Sequence, residues 1–345
     1  MRNKKVMKTY TMSRILRLSL VSVGALMIAL IGFVQPSSAA GPTISGTGGN
    51  GLRVSPVRKD VTIEPGKSEV ITVSVTNVTS QAATLQTIVN DFTANPNESG
   101  NPAIILDPKQ FAPSHSLKRF VGPIANVTLQ PGQTKPVLVT VTVPKDAAAG
   151  GYYGAVRFAP AGVASGPDQT VSLAGSVGSL ILVKVPGNIR EQLSIASFDI
   201  RQNDRPSNFF TTNKDLTATV RFQNQGNLQE SPFGKVLLKN SSGKIITQFE
   251  LNNTTPPANV LPDSIRKFPI SINKVGKFGK YKVEGNFGYG ASGQLLSAST
   301  SFYVIPKIYV LLFICFVLFL VFLVFGLPRL VKAYNRRVIR NARRR

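Results

Sequence analysis

Val61-Thr62-Ile63-Glu64-Pro65-Gly66-Lys67-Ser68 leads into the ladder Ile71-Thr72-Val73-Ser74-Val75-Thr76, and the same phrase returns as Val127-Thr128-Leu129-Gln130-Pro131-Gly132-Gln133-Thr134. The second copy also leads into a ladder, with Val137, Val139, Val141 and Val143 at alternate positions. Alternation of β-branched and polar residues at period two marks strands with one face buried. Each Pro-Gly pair places a turn just before its ladder. The two copies lie too close together for each to be a complete sandwich. They are expected to be two similar hairpins within one domain, on either side of one core.

Further along, Leu216, Ala218, Val220 and Phe222 form a third ladder. A coarser correspondence links the two halves of the chain. The first half has a strand ending at Asn77 and a later start at Gly151-Tyr152-Tyr153; the second has a strand ending at Asn224 and a later start at Gly279-Lys280-Tyr281. A strand closing on Asn at a turn, followed by a late Gly-x-Tyr, is a pattern of immunoglobulin-like sandwiches, whose tyrosine bonds backbone at a corner. No stretch outside the two long apolar runs has helical periodicity of useful length. The expected fold class is all-β, with two tandem immunoglobulin-like β-sandwich domains at residues 51–187 and 188–304. Pro186-Gly187-Asn188 forms the joint, and both sizes are ordinary for a domain.

The ends of the chain carry targeting signals. Met1–Arg17 has six Lys or Arg and no acid, Leu18–Val34 has no charge, and Ser37-Ser38-Ala39-Ala40 supplies small residues. This is the layout of a secretory signal peptide over 1–40, with cleavage expected after Ala40. Residues 41–50, rich in Gly, Ser and Thr, are expected to form a flexible leader. Ile308–Leu327 holds twenty consecutive uncharged residues. At roughly 1.5 Å per residue they span about 30 Å, the thickness of a bilayer's hydrocarbon core. The basic tail at 328–345 has eight Lys or Arg and no acid, which predicts a cytoplasmic C-terminus and an extracytoplasmic ectodomain. Only Ile305, Pro306 and Lys307 separate the last strand from the span, so the second domain is expected to sit against the outer membrane surface.

The formal charge of +24 resolves into parts with different uses. Six basic residues belong to the signal region and nine to Lys307 and the tail, leaving twenty-five basic against sixteen acidic residues, a net of +9. That remainder favours anionic surroundings such as wall polymers or acidic partners. No nucleic-acid-binding module accompanies it.

Catalytic chemistry has little to draw on. The single cysteine, Cys315, lies inside the apolar span, so no thiol, disulfide or zinc cluster serves the ectodomain. The single histidine, His115, stands in a polar loop, Ser114-His115-Ser116-Leu117-Lys118-Arg119, and is expected to be solvent-exposed. Asp91, Asn95, Asn97, Glu98 and Asn101 cluster around Gly100, but their spacing is not that of a calcium-binding EF-hand loop. No catalytic residue, metal site or cofactor is therefore assigned, and the protein is expected not to be an enzyme. The candidate contact residues are Lys118, Arg119 and Phe120, a cation pair beside an aromatic that suits an anionic or sugar ligand.

Leu129-Gln130-Pro131-Gly132-Gln133, Val143-Pro144 and Gly150-Gly151-Tyr152-Tyr153-Gly154 resemble phrases in the WxL-associated surface proteins of Gram-positive bacteria. The order of signal peptide, two sandwiches, one C-terminal span and basic tail is similar too. The likeness covers most of 51–185 by pattern; over 188–304 it rests on position and architecture. It implies a peptidoglycan-binding domain followed by a second β-sandwich, with attachment to peptidoglycan and adhesion within a surface complex. Two functions follow as expectations. The first is a membrane-anchored cell-surface protein binding peptidoglycan, an anionic wall polymer or surface-protein partners. The alternative is a chaperone-like assembly module that pairs with partner strands by β-augmentation. An exposed edge strand in the first domain, free of proline and charge, would favour the alternative.

Overall fold

The computed structural model of the protein describes residues 51–107, 109–161 and 176–342. The expected signal peptide and leader lie outside the described residues. Nine strands make the first sandwich: β1 (Leu52–Ser55), β2 (Arg58–Thr62), β3 (Ser68–Asn77), β4 (Ala83–Ala94), β5 (Pro102–Ile104), β6 (Val127–Leu129), β7 (Thr134–Thr142), β8 (Gly150–Pro160) and β9 (Val177–Val185). One sheet has the order β1-β3-β7; the other has β2-β9-β8-β4-β5, with β6 also pairing β4. All pairings are antiparallel except β2 with β9, which is parallel.

The predicted ladders supply the facing layer of the core. Ile71, Val73 and Val75 on β3 and Val137, Val139 and Val141 on β7 are buried, while their polar alternates face out. They pack against Leu85, Val156, Phe158, Ile181 and Val183 from the opposite sheet. Burying each of these side chains stabilises the fold by roughly 1.5–3 kcal/mol.

The repeated phrase does not make hairpins. β2 and β6 belong to the larger sheet, whereas β3 and β7 belong to the smaller one. Each copy therefore arches from one sheet to the other over its Pro-Gly turn. Ile63 and Leu129 are buried beneath the two arches, so an inward apolar residue sits directly before each turn. Gly66 and Gly132 both take positive φ, 77° and 71°, which explains glycine at the same place in both copies. Period-two alternation shows which residues point inward but not whether the next strand lies beside or opposite, and this is why the hairpin expectation failed. The two arched strands β3 and β7 then pair with one another, from Ser68↔Thr142 to Thr76↔Thr134.

The second sandwich comprises β10 (Leu193–Gln202), β11 (Arg205–Pro206), β12 (Phe209–Phe210), β13 (Leu216–Asn224), β14 (Phe233–Asn240), β15 (Ile245–Leu251), β16 (Ser264–Ile272), β17 (Gly279–Tyr289) and β18 (Gln294–Val304). Its sheets run β11-β10-β13-β16 and β12-β18-β17-β14-β15. Leu216, Ala218, Val220 and Phe222 all face the core, where Phe222 meets Phe268 and Phe287 edge-on.

Asn77 and Asn224 end corresponding strands and do the same work. Each is fully buried. Asn77 donates to the Gln81 and Leu129 carbonyls, and its Oδ1 accepts from the Thr79 amide. Asn224 donates to the Leu228 and Val260 carbonyls, and its Oδ1 accepts from the Gly226 amide. In each sandwich one buried amide side chain thus ties the turn after its strand to a second segment of the backbone.

After β18 a helix begins at once. α1 (Lys307–Val321) continues through a π-helical turn, Phe322–Gly326, into α2 (Leu327–Ala342). The stretch Lys307–Arg336 is long and apolar enough to cross a membrane. Its Leu, Phe, Ile and Val side chains are exposed on all sides, a surface that water does not favour.

Candidate functional site

Asp91 on β4 anchors the loop that carries the sequence candidates. It is fully buried, and its carboxylate accepts three hydrogen bonds: from the Ala112 amide (2.9 Å), the Ser116 hydroxyl (2.6 Å) and the Lys118 amide (2.8 Å). A charge-assisted bond of this kind contributes more than a neutral one, and three of them fix a segment that lacks regular structure. Leu117 adds its side chain to the core of the first sandwich.

His115 is not solvent-exposed as expected but half-buried, at a positive φ of 58°. Its Nδ1 donates to the Gly151 carbonyl (2.6 Å), while its own carbonyl accepts from the Tyr153 amide (2.9 Å). The ring sits between Tyr152 and Tyr153, at centroid distances of 6.3 and 5.8 Å. Polar neighbours in sequence suggested a wet loop; the structure instead clips the loop onto the start of β8.

Lys118, Arg119 and Phe120 form one 3₁₀ turn, but they face different ways. Phe120 is half-buried against Tyr152, with ring centroids 4.6 Å apart, so its role is packing. The ring beside the two cations is Phe111, which the sequence reading missed. Lys118 Nζ and the Arg119 guanidinium each lie 4.6 Å from its centroid, and Phe111 is 40% exposed. Lys118 also donates to the Gln110 carbonyl (3.1 Å). The loop thus presents a fixed cation–aromatic patch, in which such contacts contribute about 0.5–1 kcal/mol each. Only the fold brings Phe111 next to Arg119, and sequence spacing gave no signal of it.

A second feature lies where the sandwiches meet. The Glu98 carboxylate accepts from Arg221 Nε (2.7 Å) and Nη2 (2.5 Å), with Lys267 Nζ 3.6 Å away. The Arg221 bonds, ahead of the opposing effect of burial, hold the Glu98 pKa below its ordinary value. Tyr153 donates to Gln229 Oε1 (2.8 Å), the Gly151 amide to the Asn227 carbonyl (2.8 Å), and Asn227 Nδ2 to the Ala149 carbonyl (2.9 Å). The expected corner bond is therefore divided. Tyr281 donates to the Phe278 carbonyl as predicted, whereas in the first sandwich Tyr152 bonds the Ala148 carbonyl and Tyr153 joins the neighbouring sandwich. Burial raises the pKa of Tyr153 and keeps it a neutral donor.

The Asn-rich loop beside Glu98 has its own use for its side chains. Asn95 and Asn97 accept from amides two residues on, and Glu98 is committed to Arg221 and Lys267. Among the described residues, no group of three or more His, Cys, Asp or Glu side chains is placed to hold a metal ion. Next to this loop, a cavity of about 210 Å³ opens between the sandwiches, with Arg58, Arg266 and Asn259 on its polar side.

Residues 60–160 match the family model described as WxL Interacting Protein, peptidoglycan binding domain. The resemblance expected from the sequence is thus found over most of the first sandwich, and the matched stretch holds Asp91, Phe111, Lys118, Arg119 and Tyr153. No curated protein matches the chain. Among solved structures, the class 5 fimbriae chaperone CfaA is similar at 15% identity, over 74% of this chain and 99% of that one, with a TM-score of 0.36. The E. coli chaperone DraB is 16% identical over 74% and 96%, with a TM-score of 0.31. A chaperone–tip adhesion subunit complex of Csu pili from Acinetobacter baumannii gives 12%, 71%, 97% and 0.34. Scores of this size carry no functional argument.

Proposed function

We propose that the protein is a membrane-anchored surface protein whose first sandwich binds peptidoglycan, with Phe111 and Arg119 as contact residues and Lys118 beside them. The observation that carries this reading is the family match over 60–160. The patch supports it chemically. An aromatic face receives the C–H side of a sugar ring, and the flanking cations suit the carboxylates and phosphates of wall polymers. The bonds from Asp91 preorganise the loop, so little entropy is lost on binding.

In this reading, 51–187 and 188–304 are two domains outside the membrane, the helix from Lys307 spans it, and the basic end is cytoplasmic. The short connection from Val304 to Lys307 keeps the second domain next to the bilayer, within reach of the cell's own wall. The β-augmentation alternative is disfavoured at four of the outer strands of the first sandwich. Among the described residues, these strands carry Arg53 (β1), Arg58 and Lys59 (β2), Pro102 (β5), and Lys135 and Pro136 (β7), the kind of residue that blocks strand addition, while β6, which pairs only β4 and has neither proline nor charge, is three residues long.

The test is retention of the detergent-solubilised full chain on insoluble peptidoglycan, compared with the double variant Phe111→Ala/Arg119→Ala. At least a tenfold loss of retention, with an unchanged melting temperature, is expected. Equal retention would remove the patch from the account.

A further inference from the structure

The cavity between the sandwiches has a composition that its structural role does not require. Its polar side holds two guanidinium groups, and no acidic residue lines it. Arg58 is neutralised by Asp60 and donates to the Pro257 carbonyl (3.0 Å). Arg266 has no acidic partner among the described residues. It donates once through Nη1, to the Asn259 carbonyl (2.7 Å), while its Nε is shielded from solvent and unpartnered. Burial, and then the neighbouring Arg58 charge, press the Arg266 pKa downward. Asn259, only 9% exposed, gives its Oδ1 to Ser231 and leaves Nδ2 without a partner. Buried donors without acceptors are destabilising, more so when charged, so a shift that brings an acceptor within reach is favoured.

The opposite wall is apolar, built from Phe92, Leu180, Leu182 and Leu261. The backbone at Gly100 closes over the arginine: its φ is +79°, and a side chain there would lie 2.1 Å from the Arg266 guanidinium. The volume of about 210 Å³ corresponds to about seven waters at roughly 30 Å³ each, room for the end of a small chain. A guanidinium takes a carboxylate as a two-pronged acceptor, an amide donor completes the grip, and an apolar wall accepts methyl groups.

We propose that this cleft binds the free carboxylate end of a short peptide with small apolar side chains, namely the stem peptide of peptidoglycan. Arg266 and Asn259 hold the carboxylate, and Phe92 and Leu182 receive the methyl groups. A polyol phosphate would not use the apolar wall. The choice of a wall peptide rests on the reading of the first sandwich as a peptidoglycan binder, whose matched stretch supplies Phe92, Asn95 and Asn101 to the same cleft.

The experiment uses the full chain in detergent and isothermal titration with an N-acetylated tripeptide ending in D-alanyl-D-alanine, its C-terminal amide, and the L-alanyl counterpart. The free acid is expected to bind at least tenfold more tightly than the amide, and Arg266→Gln to remove that preference. Equal affinity of acid and amide, or no heat with either at millimolar peptide, overturns the proposal; so does tighter binding of the L-peptide, which would assign the cleft to a protein C-terminus. The acid–amide comparison needs only wild-type protein, so it stands even if Arg266→Gln fails to fold. Retention on insoluble peptidoglycan is measured on the same samples. Retention without peptide binding sinks this site alone, whereas peptide binding without retention sinks the broader wall-binding reading.

Discussion

Glu98 and Arg221 join the two sandwiches through a two-pronged hydrogen-bonded ion pair, made by Arg221 Nε and Nη2 on the two carboxylate oxygens. Glu98 sits in the loop after β4 and Arg221 on β13, and the Lys267 amide also donates to the Glu98 carbonyl (2.9 Å). The junction is therefore held by side chain and backbone together.

Replacing Glu98 by Gln is expected to destabilise the protein at pH 7 by roughly 1.5–3 kcal/mol, the contribution of hydrogen bonds to a charged group. The folded-state pKa is depressed, so this stability is present above the ordinary glutamate value of 4.5 and is lost as pH falls through the lower folded value. Denaturant unfolding of wild type and variant at pH 7 and pH 3 checks it. The gap should be wide at the first and narrow at the second.

Glu230 should behave in the opposite sense. It is buried, its Oε1 has no partner, and burial, with a smaller push from Glu191, raises its pKa to about 7. A raised carboxyl pKa gives greatest stability below 4.5, falling as pH rises toward and through 7. Glu230→Gln should thus raise the melting temperature at pH 8, by up to about 3 kcal/mol in stability at about 1.4 kcal/mol per pH unit, and change it little at pH 4.5. A variant less stable than wild type at pH 8 would contradict this.

Asn77→Ala and Asn224→Ala should each cost roughly 1–3 kcal/mol, because each removes three hydrogen bonds between a buried side chain and the backbone around it. Chemical denaturation of the two variants tests the equivalence of the sites. A loss in one sandwich only would mean that the repeat is one of form and not of energy.

Asp91→Asn is expected to loosen the loop without unfolding the sandwich. The new amide can accept through one oxygen where the carboxylate used two, on the Ala112, Ser116 and Lys118 donors. Hydrogen exchange at the Ala112 and Lys118 amides should accelerate at least tenfold, with exchange at the core amides of β3 unchanged. Peptidoglycan retention should fall with it.

The strands could be read because every inward residue of the three ladders is apolar and every alternate is polar or exposed. The apolar run at 308–327 was equally plain, since its helix presents apolar side chains all round. What failed was whatever depends on the third dimension. The arches at Pro65-Gly66 and Pro131-Gly132 have the sequence of a hairpin turn, and only the partner strand tells the two apart. His115 looked exposed because its clip is the Gly151 carbonyl, a group that leaves no trace in side-chain composition. Phe111 lies seven and eight residues before the cations it faces, across a loop shaped by one buried aspartate. Lys118 and Arg119 could be found by charge, whereas the ring between them and the Arg266 cleft needed the fold.

Wall binding by the ectodomain is the central claim, and salt tests it most directly. The full chain in detergent is mixed with insoluble peptidoglycan at low salt and at 1 M salt, where screening shortens the reach of charge to about 3 Å. The account predicts retention that survives 1 M salt, because contact surfaces and not the net charge of +9 hold the polymer. Retention abolished by salt, or absent at both concentrations, would contradict it.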